Sequence, residues 1–145
     1  MIKLHTGVAC LMLLFTQISE AEDKRITTVA GTGQSANNGS GGSASELNIP
    51  WPFGLTVGPN LGLYITGCIH HRVWRMNTST QQIQVVAGNG TKGWSGDGED
   101  PLKAQMDQPY EVQLDQNGNM YIVEMANHLI RRVDTASQTI HTLAG

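Results

Sequence analysis

The chain has 145 residues, 39% of them hydrophobic and 14% charged, with a formal net charge of −3. That apolar content excludes a disordered polymer and fits one ordinary soluble domain. An acidic balance without any basic cluster excludes nucleic acid as a partner.

The first 21 residues read differently from the rest. Lys3 supplies a positive start, Gly7 to Phe15 (GVACLMLLF) an apolar core, and Ser19-Glu20-Ala21 a small-x-small cleavage pattern, which together have the layout of a secretory signal. The apolar run is far shorter than the roughly 18 to 20 residues needed to cross a bilayer. The expectation is therefore an exported chain, periplasmic or extracellular, that does not span a membrane once residues 1–21 are removed. Cleavage takes away one base, Lys3, and one acid, Glu20, so the net charge is unchanged. It leaves Cys68 as the single cysteine, which excludes an internal disulfide and casts Cys68 as a small buried apolar residue.

From residue 26 onward the chain repeats itself. Val29-Ala30-Gly31, Val86-Ala87-Gly88 and Leu143-Ala144-Gly145 recur at intervals of 57 residues, and the same offset relates Pro52 to Pro109, Tyr64 to Tyr121, His71 to His128, Val73 to Ile130 and Arg75 to Arg132. A fixed period of this length marks a stack of equivalent supersecondary units. Residues 26–31 read as a leading strand. A Gly-rich polar segment, TGQSANNGSGGSASELNIPW, follows as a surface loop.

The first full unit, residues 52–88, contains four strand-like runs: FGLTV (53–57), LYIT (63–66), RVWRM (72–76) and QIQVVAG (82–88). A second loop, NGTKGWSGDGEDPLKAQMDQ, carries Asp100-Pro101-Leu102-Lys103-Ala104, a cap and proline start for one helical turn. The second unit, residues 109–145, repeats the four runs as YEVQL (110–114), MYIV (120–123), LIRRV (129–133) and QTIHTLAG (138–145), with Asn117-Gly118 as a hairpin turn. Four hairpin-linked strands at this period make one blade of a β-propeller.

The stretch QPYEVQLDQNGNMYIVEMANHLIRRVD closely resembles the NHL repeat, with its Pro, strand, Asp, Asn-Gly-Asn, Tyr-Ile and Asn-His before the next strand. The first copy, WPFGLTVGPNLGLYITGCIHHRVWRMN, keeps the frame with His70 in place of the Asn and Arg72 in place of the Leu. The resemblance covers residues 26–145 and implies an all-β fold: a partial NHL-type β-propeller of about two four-stranded blades plus a leading outer strand, taken from an architecture that is six-bladed in its well-known members. Two blades cannot close a ring, since propellers need roughly four to eight. The expectation is a part of a longer propeller, or a chain that completes one by self-assembly.

In a blade whose strands alternate direction, the interblade loops and the turns between the second and third strands emerge on one face. That face carries Trp51, His70, Trp94, Asp97, Glu99, Glu124 and Asn127, and loops on a rigid scaffold are where binding residues collect. His71 and His128, being equivalent, read as structural histidines that bond to loop backbone. WSGDGED (94–100) alternates acids and glycines but lacks the spacing of a calcium loop, so it reads as a turn-rich connection. Trp94 is either a contact residue or a plug between blades.

Glu111 and Glu124 break the repeat, standing where the first unit has Gly54 and Gly67. Such a pair near a central channel is a candidate for a hard divalent cation such as Ca²⁺, and the bland reading is pairing with Arg131 or Arg132. The leading functional expectation is a binding scaffold for a protein or carbohydrate partner through the loop face. The enzymatic alternative is a metal-dependent hydrolase or lyase, gluconolactonase-like or amidating-lyase-like, which the resemblance brings in because some six-bladed relatives hold a metal near the channel. No nucleophile elbow or phosphate-binding loop is present in the sequence.

Overall fold

The computed structural model describes residues 25–145. The proposed signal segment, residues 1–21, lies outside them. Nine strands form two antiparallel sheets, and the described residues contain no α-helix. The first sheet combines β1 (Gly41–Ser43), β2 (Pro52–Val57), β3 (Gly62–Gly67), β4 (Arg72–Asn77) and β5 (Gln82–Ala87) in the order β1-β5-β4-β3-β2. The second is a simple meander of β6 (Pro109–Leu114), β7 (Met120–Glu124), β8 (Leu129–Asp134) and β9 (Thr139–Ala144). Two neighbouring four-stranded meanders of this kind are consistent with two blades of a propeller.

The 57-residue period is written into the backbone as well as the side chains. Left-handed backbone recurs at Trp51 and Gln108 (φ 49 and 50), His71 and His128 (φ 51 and 57), and Gln81 and Gln138 (φ 55 and 55). None of these residues is glycine, and each sits in a turn or just before a strand. Asp115 shows how a turn is held. Its Oδ1 accepts the Asn117 and Asn119 N–H groups, each at 2.9 Å, and its Oδ2 accepts from the Asn119 amide and the Tyr121 hydroxyl. The side chain thereby replaces the backbone partners that the chain reversal removes.

The core follows the same period. Face one of the first sheet, with Ile65, Trp74, Met76 and Ile83, is covered by Ala44, Leu47 and Ile49 of the preceding loop. Face two, with Val73, Ala87, Tyr64 and Val86, packs against Val112, Met120, Ile122, Val133 and Ile140 of the second sheet. Ala104 and Met106 of the second loop fill the space between the sheets, at the positions equivalent to Leu47 and Ile49. The first strands of the two sheets approach closely. Phe53 stacks on Tyr110 with centroids 4.6 Å apart, and a Cβ added at Gly54 would lie 2.8 Å from the Glu111 Cα.

The leading strand expected over 26–31 does not form. Val29 is exposed and is not paired to any strand, whereas its equivalent Val86 lies in β5, paired to β4. The loop position is nevertheless kept: the Gly31 N–H donates to the Ala44 carbonyl at 2.8 Å as the Gly88 N–H donates to the Pro101 carbonyl at 2.9 Å. The extra outer strand is β1, inside the segment read as a surface loop. It pairs with β5 through Gly41, Gly42 and Ser43, residues that carry no strand signal of their own. The expected helical turn at 100–104 is a single hydrogen-bonded turn, in which Asp100 accepts the Leu102 N–H on Oδ1 and the Lys103 N–H on its carbonyl.

Candidate functional site

The interblade loop 89–108 and the turn between β7 and β8 meet, the Met125 N–H donating to the Gln108 carbonyl and Asn127 to the Gly93 carbonyl. Their junction is a buried polar network centred on Arg131, whose side chain is fully buried. Arg131 Nη1 reaches Glu124 Oε1 at 3.3 Å, and Nη2 reaches Asp97 Oδ1 at 2.7 Å and the Ser95 carbonyl at 3.1 Å. Glu124, also fully buried, accepts the Asp107 N–H at 2.9 Å and the Asn127 amide at 2.6 Å on Oε2. Asn127 also donates to the Gly93 carbonyl at 2.8 Å. Both charges have partners, which is the condition for keeping an ion pair out of water.

Burial pushes the Glu124 carboxyl above the ordinary glutamate range, against the pull of the Asp107 N–H, Asn127 and Arg131. Burial also acts on Asp97, but there the Thr142 hydrogen bonds, Arg131 and His141 prevail and hold it below the usual range. Asp97 joins the loop to β9 as well, since its Oδ2 accepts the Thr142 N–H at 3.0 Å. Beside it the Trp94 indole N–H donates to the Thr142 hydroxyl at 3.2 Å while its ring stays exposed, and the Glu99 carbonyl accepts the Ile140 N–H.

These contacts describe the surroundings of the two carboxylates named as metal candidates, Glu111 and Glu124. Three donors occupy the two Glu124 oxygens. Glu111 is engaged elsewhere, accepting from the Gln113 amide at 2.9 Å, and its strand partner is Val123, one residue away from Glu124. The two carboxylates therefore do not form a ligand pair. Among the described residues no group of three or more His, Cys, Asp or Glu side chains is placed to hold a metal ion. The ion pair foreseen with Arg131 or Arg132 is made by Arg131 to Glu124, while Arg132 bonds to Asp134 at 2.8 Å.

The same three positions in the first sheet hold an apolar version of this network. Glu124, Arg131 and Asn127 correspond by the 57-residue offset to Gly67, Trp74 and His70. Trp74 is fully buried, lies with its ring centroid 5.9 Å from that of His70, and covers Gly67 so closely that a Cβ there would meet the ring at 2.0 Å. Each unit thus seals its second turn with a plug, one aromatic and one ionic. The signal was present in the sequence as Arg131 standing at the position of Trp74, a chemical change that the comparison of carboxylates alone passes over.

His71 behaves as a structural histidine. Its Nδ1 accepts the Gln108 N–H at 3.4 Å, and Asp107 lies 3.6 Å away with Lys92 on its other side at 3.4 Å. Burial lowers its pKa, opposed by Asp107 and helped by Lys92, which suits a neutral ring that accepts at Nδ1. His128, at the equivalent turn, is exposed. Cys68 is buried, and burial followed by the Asp107 charge pushes its thiol up, consistent with a small packing residue. The loop side leaves the large apolar side chains Trp51, Ile69, Trp94 and Met125 exposed among polar residues that include Lys92, Asp97 and Glu99.

No family model matches the chain. Over 93 residues it is 26% identical to Protein SUPPRESSOR OF QUENCHING 1, chloroplastic, of Arabidopsis thaliana, a match that spans 64% of this chain and 9% of that protein. Among solved structures it is similar to a structural genomics protein of unknown function from Bacteroides thetaiotaomicron, with a TM-score of 0.61 and 21% identity over 71% of this chain and 26% of that one. The likeness is one of fold, and this chain spans about a quarter of that structure's length. No helix among the described residues is long and apolar enough to cross a membrane.

Proposed function

We propose that the chain is an exported NHL-type propeller segment that serves as a binding scaffold, taking a protein or carbohydrate partner on its interblade-loop face. One observation carries this reading. The acids of that face that could do chemistry, Asp97 and Glu124, are held in structural bonds, while the large side chains Trp51 and Trp94 are left 63% and 60% exposed. Exposed tryptophans on a rigid loop frame supply contact area at small conformational cost. No specific observation favours the metal-dependent hydrolase or lyase alternative, because Glu124 lacks a free oxygen face and Glu111 lacks companions.

The chain has three tryptophans, and Trp74 is fully buried, so quenching of fluorescence by acrylamide reports mainly on Trp51 and Trp94. The chain is titrated with neutral β-glucan, xylan and chitin oligosaccharides, and a photo-crosslinker at position 51 or 94 is exposed to secreted proteins of the source cells. The proposal expects saturable shielding or a discrete crosslinked product, lost in the Trp51→Ala, Trp94→Ala double variant. Neither signal in the parent chain, or a signal that persists in the double variant, contradicts it.

A further inference from the structure

We infer that the cleft between the two sheets binds a small ligand carrying a single carboxylate, held by the Arg75 guanidinium. The inference is independent of the loop face, because neither Trp51 nor Trp94 lines this cleft. The cleft has a volume of about 420 Å³ and reaches the turns that join β2 to β3 and β6 to β7. Val86, Met120 and Val133 give it an apolar wall, and Asn60, Gln84 and Gln138 supply amide groups.

A comparison of the two units shows why Arg75 is available. In the second unit Arg132 bonds to Asp134, and the Tyr121 hydroxyl donates to Asp115, which also takes the Asn119 amide. At the offset of 57 residues the first unit has Asn77 for Asp134, Gly58 for Asp115 and Gly62 for Asn119, so both acids are gone while Tyr64 and Arg75 stay. The Arg75 guanidinium lies 5.9 Å from the Tyr64 ring centroid, and neither side chain has a hydrogen bond or ion pair among the described residues. The two glycines make room for them. A Cβ added at Gly62 would lie 2.9 Å from Arg75 Nε, and one at Gly58 would run into the Tyr64 ring.

Charge selects the ligand. Of the side chains along the cleft only Arg75 is basic and only Asp100 is acidic, and Asp100 Oδ1 already accepts the Leu102 N–H. A guanidinium presents paired N–H donors that match the two oxygens of a carboxylate. A dianion such as phosphate would gain one cation and face the Asp100 charge, so a singly charged acid fits better. The amide groups beside Arg75 suit a hydroxylated body, which a uronic acid unit of a polysaccharide or a free hydroxy acid would bring.

The test is a titration of the isotope-labelled chain, followed through its backbone amide resonances, with D-glucuronate, acetate, D-glucose and inorganic phosphate. Glucuronate and acetate are expected to move the amides of Tyr64, Arg75 and Gln84 saturably, with half-saturation on the order of 1 mM for ligands so small, and glucose to move none. Glucuronate binding several-fold tighter than acetate assigns a uronic acid unit, and equal binding assigns a free small acid. The decisive variant is Asn77→Asp, which restores the acid of the second unit. Asn77 Oδ1 accepts the Ser79 and Thr80 N–H groups as Asp134 Oδ1 accepts those of Ala136 and Ser137, so the turn survives the change. The new carboxylate pairs with Arg75 and weakens ligand binding by about tenfold or more. Arg75→Gln weakens it likewise by removing the cation, and Asp100→Asn tightens it by lifting a repulsion. No saturable shift with either carboxylate, phosphate binding as tightly as the carboxylates, or binding undiminished in both Asn77→Asp and Arg75→Gln overturns the inference.

Discussion

Arg131 brings a full positive charge into a site with no exposed surface, and the acceptors around it decide whether it can remain there. Two carboxylates and a carbonyl meet its terminal nitrogens, and Glu124 is steadied in turn by the Asp107 N–H and the Asn127 amide. Replacing Arg131 by Met removes the cation and leaves Glu124 buried beside an apolar group. Breaking a buried pair from one side costs about 3–5 kcal/mol, which urea unfolding at neutral pH would measure. The sign of its pH dependence follows from Glu124. A carboxyl whose folded pKa is raised contributes stability below the ordinary value of 4.5 and loses it as pH rises through the folded value. Without Arg131 that rise becomes larger, so the deficit of Arg131→Met is expected to shrink at pH 4 relative to pH 7. A deficit independent of pH would assign the loss to packing instead.

The turns and strands are the elements in which the repeat is most legible. Asn117-Gly118, the alternating apolar runs and the 57-residue register predict all eight blade strands from the sequence. Two features escape that reading for physical reasons. β1 is made of Gly41, Gly42 and Ser43, which enter a strand because β5 offers an open edge and because Gly41 fits where a Cβ would lie 2.8 Å from the Ile83 carbonyl oxygen. The segment 26–31 has strand-like sequence but no partner. At the turn after β3, His70 and His71 both have pKa values lowered first by burial. A histidine with a depressed folded pKa contributes stability above its ordinary value of 6.5, and that stability is lost as pH falls, because the unfolded chain takes up the proton first. Urea midpoints are therefore expected to fall between pH 7.5 and pH 5.5. His71→Gln should flatten that decline, and an unchanged slope in the variant would assign it to other groups.

At the scale of the molecule the chain is two variations on one unit, and the differences between them are as ordered as the similarities. Of the candidate site, the sequence makes legible only that the interblade loop and the β7–β8 turn share one side, through strand alternation, and not the bond from Asn127 to the Gly93 carbonyl. The roles of Asp97, Ser95 and Thr142 are not legible either, because they depend on how a loop rich in glycine folds back on β9. What remains outside this network is a rim on which Trp51 and Trp94 are exposed. The central claim is that the residues breaking the repeat are alternative plugs for one structural position and not a reactive constellation. It is tested most directly by moving the first plug into the second unit through Glu124→Gly, Asn127→His and Arg131→Trp together. Urea unfolding of this triple variant is expected to give a stability within about 1 kcal/mol of the parent, whereas Arg131→Trp alone loses about 3 kcal/mol or more by overpacking against Glu124 and leaving it unpaired. A triple variant as unstable as the single one would contradict the account.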